Sequence, residues 1–243
     1  MRLSDSHTLQ RMLKPVLTGF EALLSLFYPR ICGGCNAHLR KYEGDLCLIC
    51  LYSLPKTYYW DYPITPIEEL FKGRLKVSSA CSLLHFEKMS VTQRLMHRLK
   101  YDGKTSIGVE LGRAFGLILK EKKWYSDVDI IVPVPLHFTK LARRGYNQST
   151  TIANGLAEVY NVRVSPHALK RMVNSETQTR KARYARTENV QDVFVVAEQK
   201  AINGKNVLLV DDVVTTGATL EAAGQALLNA GAAKLYIATL ATA

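Results

Sequence analysis

From Leu75 onward the chain alternates short apolar runs with amphipathic stretches. "VSSACSLLHF" (77–86) reads as a strand or hairpin. "SVTQRLMHRLKY" (90–101) and "IGVELGRAFGLILKEKKW" (107–124) place apolar residues at helical spacing. "VDIIVPVPL" (128–136) is a short buried strand ending at two prolines. "YNQSTTIANGLAEVY" (146–160) predicts a helix and "NVRVSP" (161–166) a short strand. A polar stretch from Lys170 to Gln191 follows. "NVLLV" (206–210) is a buried strand, "TLEAAGQALLNAG" (219–231) a helix stopped by Gly231, and "KLYIATLA" (234–241) a last strand. Strands and helices in this alternation predict an α/β fold, a parallel sheet with helices on both faces. Ligands of such sheets bind at the carboxyl ends of the strands.

Upstream of Leu75 the pattern changes. Leu13, Val16, Leu17, Phe20, Leu23, Leu24 and Phe27 share one helical face, giving an N-terminal amphipathic helix within residues 1–30. Arg11, Lys14 and Glu21 interrupt the stretch, and no small-residue cleavage site follows it. It predicts neither a transmembrane segment nor a leader, and the protein is expected to be cytoplasmic. Residues 31–52 carry the cysteines discussed below. Residues 53–75, with three prolines and a cluster of aromatics, read as a linker whose rings pack onto the following domain or stack on bases. The main domain is expected over 76–243.

The segment "NVLLVDDVVTTGATLEAAG" (206–224) carries the sharpest chemistry. Val207 to Val210 read as strand, Asp211 and Asp212 as its carboxyl end, and Val213 to Thr219 as the turn into a helix. Such a turn offers backbone N–H groups, hydroxyls and a helix N-terminus to an anion. Gly217 lets the backbone approach closely. Two carboxylates beside that cradle suit vicinal hydroxyls, so the segment describes a sugar-phosphate site. The competing reading is that the acids cap the helix.

Charge sharpens this picture. The net charge of +11 favours anionic partners. Ten Lys and Arg against two acids lie between His137 and Thr187, whereas six acids against three Lys lie from Glu188 onward. A basic middle beside an acidic strand end suits a phosphate-rich ligand carrying a divalent cation.

Cys32, Cys35, Cys47 and Cys50 form C-x2-C-x11-C-x2-C, the spacing of two thiolate knuckles around a tetrahedral zinc. Two disulfides or an iron–sulfur cluster are the alternatives, and a cytoplasmic setting disfavours the first. A four-thiolate site leaves no open position, so its role would be structural or for docking. Cys81, in a strand-like run, reads as core.

"VLLVDDVVTTGATL" resembles the phosphoribosyl-pyrophosphate (PRPP) motif of type I phosphoribosyltransferases, and "IIVPVPL" is similar to the strand and pyrophosphate loop of that fold. Together with "LARRGYNQST", "TQTRKARYARTENVQDVF" and the four-Cys module, they make the chain from about residue 20 onward resemble the ComF family of competence-associated, phosphoribosyltransferase-like proteins. The resemblance implies a type I phosphoribosyltransferase-like domain with a small zinc-ribbon-like module before it. It implies that Asp211 and Asp212 hold the ribose hydroxyls, that Thr215, Thr216, Gly217, Ala218 and Thr219 hold the 5′-phosphate, and that Val134, Pro135 and Leu136 lie along the pyrophosphate. Magnesium would bridge pyrophosphate and ribose oxygens.

Residues 174–186 match the place of a closing loop, where Arg180, Arg183 and Arg186 would neutralise the leaving pyrophosphate, with Arg143 and Arg144 as further candidates. Lys100, Tyr101, Tyr146 and Asn147 are candidates for the acceptor side, with packing and helix capping as their other reading. Thr215 stands where the 6-oxopurine salvage enzymes carry an Asp general base, which argues against hypoxanthine or guanine as acceptor. Three functions stay open: a PRPP-dependent transferase in DNA uptake or nucleotide metabolism, a non-catalytic PRPP or nucleotide binder, and a factor binding single-stranded DNA beside a helicase-like uptake protein.

Overall fold

The computed structural model describes residues 29–172 and 193–243. In chain order the strands are β1 (Ser79–His85), β2 (Ile130–Pro133), β3 (Arg163–Val164), β4 (Leu169–Met172), β5 (Val193–Val196), β6 (Asn206–Val214) and β7 (Lys234–Thr242). The helices are α1 (Leu48–Ser53), α2 (Pro66–Phe71), α3 (Val91–Tyr101), α4 (Thr105–Glu121), α5 (Phe138–Arg144), α6 (Gln148–Tyr160), α7 (Gln199–Ile202) and α8 (Ala218–Asn229).

Five strands form one parallel sheet in the order β1-β7-β6-β2-β3, and β4 pairs with β5 as a separate antiparallel ribbon. Both sheet faces are covered, which is why the strands are apolar without alternation. Leu208, Val210, Tyr236 and Ala238 pack with Leu99, Leu111, Phe115 and Ile152 on the face of α3, α4 and α6. Val207, Leu209, Leu235 and Ile237 pack with Phe71, Leu220, Ala223 and Leu227 on the face of α2 and α8. The chain moves one way from β6 to β7 and the other way from β2 to β3. The order therefore reverses between β6 and β2, and a crevice at their carboxyl ends is the expected ligand position.

Helices α4 and α6 touch backbone to backbone. A Cβ on Gly155 would lie 2.1 Å from the carbonyl oxygen of Val109, and one on Gly112 would lie 2.3 Å from that of Ile152. Only glycine permits this approach.

Residues 53–75, expected as a linker, are ordered against β1. Thr57 N donates to Leu83 O at 2.9 Å, and His85 N donates to Pro55 O at 2.9 Å. Thr65 and Glu68 form a capping box that starts α2, and Pro66 occupies its first turn. Glu68 also accepts from Ser79 Oγ and Ala80 N, both at 3.0 Å, fastening α2 to the sheet. Trp60, Ile67 and Phe71 are buried.

The strand "NVLLV" is longer than its apolar run. Asp211 pairs in register with Thr239, Val213 with Ala241 and Val214 with Thr242. β7 continues beside β6, so the ladder extends through both acids. The turn shrinks to Thr215–Gly217 and α8 begins at Ala218. The expectation that Val213–Thr219 is all turn is thereby corrected. "VSSACSLLHF" forms a single strand, not a hairpin.

Candidate functional site

Because strand neighbours point to opposite faces, the adjacent carboxylates have different partners. Asp211 Oδ1 accepts from Ser149 Oγ at 2.9 Å and from Asp212 N at 2.8 Å. Asp212, 7% exposed, accepts at Oδ2 from Lys100 Nζ at 2.7 Å and Gln148 Nε2 at 3.1 Å, and at Oδ1 from Val213 N at 2.8 Å. Desolvation, and then the charge of Asp212, raise the Asp211 carboxyl from 3.8 to about 7.

Asp211 also lines a recess with Val213, Val214, Thr215, Thr216, Gly217, Ala218, Thr219 and Leu220. Gly217 sits at φ 78° as the residue before α8, and a Cβ there would meet the Phe71 ring at 2.9 Å. Arg74 braces the loop from outside, donating to Thr216 O at 3.3 Å and to the Glu221 carboxylate. A helix start facing a small recess suits an anion.

Val134 is buried and ties the crevice together: its N–H donates to Val210 O at 2.8 Å, and its carbonyl accepts from Asn147 Nδ2 at 2.9 Å. Pro135 and Leu136 are half-buried beside it. Asn147 also caps α6 through Ser149 N, and Tyr146 donates to Leu99 O, so both side chains serve the fold. Arg144 donates to Gln148 Oε1 and lies over the Tyr101 ring at 5.6 Å. It thus reaches Asp212 through Gln148. Arg143 is exposed on α5, and Tyr101 is exposed at the end of α3. Arg180, Arg183 and Arg186, the closing loop of 174–186 and the N-terminal helix up to residue 28 lie outside the described residues.

The ligand-type sulfur atoms of Cys32, Cys35, Cys47 and Cys50 all lie within 4.8 Å of one another. Cys35 Sγ and Cys47 Sγ are 3.7 Å apart. Tetrahedral Zn–S bonds of about 2.3 Å separate sulfurs by about 3.8 Å, so the cluster fits such an ion. Burial raises the Cys32 thiol, but backbone donation from Cys47, Cys35 and Gly34 outweighs it and brings the thiol to about 7. Helix α3 holds the first knuckle through Arg94 Nε to Gly34 O at 3.0 Å and Arg98 to Asn36 at 2.5 Å. Helix α4 holds the second through Glu110, which accepts from Asp45 N at 2.8 Å.

Residues 133–243 match the phosphoribosyl transferase domain. Competence protein F of Haemophilus influenzae is 27% identical over 216 residues, covering 87% of this chain and 84% of its own. Competence protein ComFC of Bacillus subtilis is 27% identical over 214 residues, covering 84% and 80%. DNA utilization protein YhgH of Escherichia coli is 30% identical over 146 residues, covering 59% and 63%. The chain thus carries a phosphoribosyl transferase domain and is similar over most of its length to these two competence proteins. Solved structures with a related arrangement include glutamine PRPP amidotransferase from B. subtilis, at 16% identity and TM-score 0.40 over 60% of this chain and 30% of that one. Another is a purine phosphoribosyltransferase from Pyrococcus horikoshii, at 22% identity and TM-score 0.33 over 55% and 72%.

Four residues at the site carry no assignment from sequence: Gln148, Ser149, Arg74 and Phe71. Gln148 and Ser149 stand inside the quoted "RRGYNQS" segment, directly after the α6 cap, and that position was the available signal. Arg74 and Phe71 reach the loop only because α2 folds against β1, which no local pattern announces.

Proposed function

We propose that the chain binds PRPP at the carboxyl end of β6 and acts as a PRPP-dependent phosphoribosyltransferase-like protein in DNA uptake. The observation that carries this reading is the single recess shared by the Asp211 carboxylate and the loop Thr215–Thr219. The loop and the start of α8 would take the 5′-phosphate, and Asp211 a ribose hydroxyl. Asp212, Gln148 and Ser149 fix Asp211 and the strand end in place. Val134, Pro135 and Leu136 would lie along the pyrophosphate. The printed names of the relatives, competence protein and DNA utilization protein, support the cellular setting.

Magnesium bound with the ligand would neutralise the pyrophosphate as it departs. The residues of the chain supply position and charge at an oxocarbenium-like centre, which needs these more than a strong nucleophile. In the four-Cys module we propose zinc in a structural role, since all four ligands come from the protein.

A second reading, PRPP or nucleotide binding without transfer, draws support from Asp212, whose carboxylate is already engaged by Lys100. Calorimetric titration of the zinc-loaded chain with PRPP and magnesium tests both. Saturable binding, weakened at least about tenfold by Asp211→Asn, is the expected result. No binding to the unaltered chain overturns the proposal. Pyrophosphate release with candidate acceptors then separates transfer from binding alone.

A further inference from the structure

Helix α4 is apolar on two sides. Ile107, Leu111, Phe115 and Leu119 are buried toward the sheet and α6. On the other side Val109, Ala114 and Leu117 line a cleft of about 860 Å3 whose opposite wall, with Tyr42 and Leu51, belongs to the four-Cys module. Leu117 is 59% exposed and Tyr42 69%. A helix apolar on two sides is normally covered on both. Arg30 stands at one end of the cleft, donating to Glu43 O at 2.5 Å and Gly44 O at 3.2 Å. That end is the start of α4, because Asp45 next to it accepts from Ser106 Oγ and donates through its N–H to Glu110. The chain before Pro29 therefore departs from the rim of the cleft.

We propose that this cleft is the docking site of the chain's own N-terminal segment, which lies in it as a helix antiparallel to α4 and seals the four-Cys module against the main domain. Val16, Phe20, Leu23 and Phe27 are spaced four, three and four, with Leu17 and Leu24 beside them. That is a narrow seam of the kind that packs along one neighbouring helix. Pro15 suits the first turn of such a helix. The lengths agree. At 1.5 Å per residue, Val16 to Phe27 spans about 17 Å, as does the cleft side of α4 from Ser106 to Leu117. Phe27 is three residues before Arg30, so running back along the cleft brings Phe27 level with Ser106 and Val16 level with Leu117. Glu21 then falls about level with Arg113, a cation of the cleft wall that also serves Glu158. The covalent tether favours this occupant over a second copy, since a short linker sets an effective concentration in the millimolar range. None of this depends on which ligand the β6 site takes.

The experiment is amide hydrogen exchange of the full, zinc-loaded chain, read by mass spectrometry on peptides covering residues 16–27. A lone helix of this length is marginal in water, so protection there reports docking. The unaltered chain is expected to protect these amides at least about tenfold, equally at low and high protein concentration. Leu117→Asp, far away in sequence on the cleft wall, is expected to remove that protection, as is Phe20→Asp within the segment. Because Leu117 is exposed, the fold should tolerate the change, and unaltered protection of β6 and β7 verifies it. A second Leu117 variant, Leu117→Ala, is expected to reduce the protection without abolishing it. The proposal is overturned if residues 16–27 exchange freely in the unaltered chain. It is equally overturned if their protection survives Leu117→Asp, which would put the segment elsewhere. Protection that rises with protein concentration would assign the cleft to a second copy. Protection that appears only with phosphatidylglycerol vesicles would assign the segment to a lipid surface, and either result also overturns it.

Discussion

Asp211 carries a cost in the folded chain. Its carboxyl is raised from 3.8 to about 7 in the fold, so the folded chain holds a proton there that the unfolded chain releases. An acid raised in the native state lends stability below its unfolded value and withdraws it as pH climbs through its folded value. The melting temperature of Asp211→Asn is therefore expected to exceed that of the unaltered chain by a margin that grows between pH 4 and about pH 7 and then levels off. Thermal scans across that range check it; a margin independent of pH would contradict the raised carboxyl. At this scale the sequence was informative about residue type: two acids and a Thr-Gly-Ala-Thr turn after an apolar run point to one site. It was silent on their division of labour. That depends on Lys100, Gln148 and Ser149 arriving from α3 and α6, contacts that no spacing along the chain encodes.

Among the elements, the seam between α4 and α6 is the tightest contact. Gly108, Gly112 and Gly116 recur every fourth residue on α4, and Gly155 faces them from α6. Gly155→Ala would drive a methyl into the carbonyl of Val109 and the amide of Arg113, and neither can turn aside. The expected cost is about 2–3 kcal/mol, read as a lower urea midpoint at unchanged slope. Both helices were legible from their apolar spacing. Their glycines were not legible as contacts, because inside a helix pattern glycine registers only as a weak helix former. The far end of β6 was illegible for a related reason. Asp is a poor strand former, and pairing with the neighbouring β7 keeps Asp211 to Val214 extended.

In the whole molecule the four-Cys cluster is not an appendage. Cys32, Leu46, Cys47 and Cys50 belong to the same core as Leu99, Leu111 and Leu208. Stripping the proposed zinc with a chelator, or Cys50→Ser, is accordingly expected to lower the single unfolding transition of the chain. Calorimetry would contradict this by showing a separate early transition for residues 31–52 with the main one unmoved. The cysteine spacing announced the cluster, and the strand–helix alternation announced the parallel sheet. How residues 53–75 fold back on β1 was not announced, since prolines and aromatics mark a turn-rich stretch without saying what it covers. The strand order has a last consequence, for how the chain is made. β7 lies between β1 and β6, so β1 waits for a partner some 150 residues downstream. Until residues 234–242 leave the ribosome, β1 and β6 each present an unpaired, apolar edge. A nascent chain of this topology passes through a sticky interval before β7 emerges, and demand for chaperones should peak there.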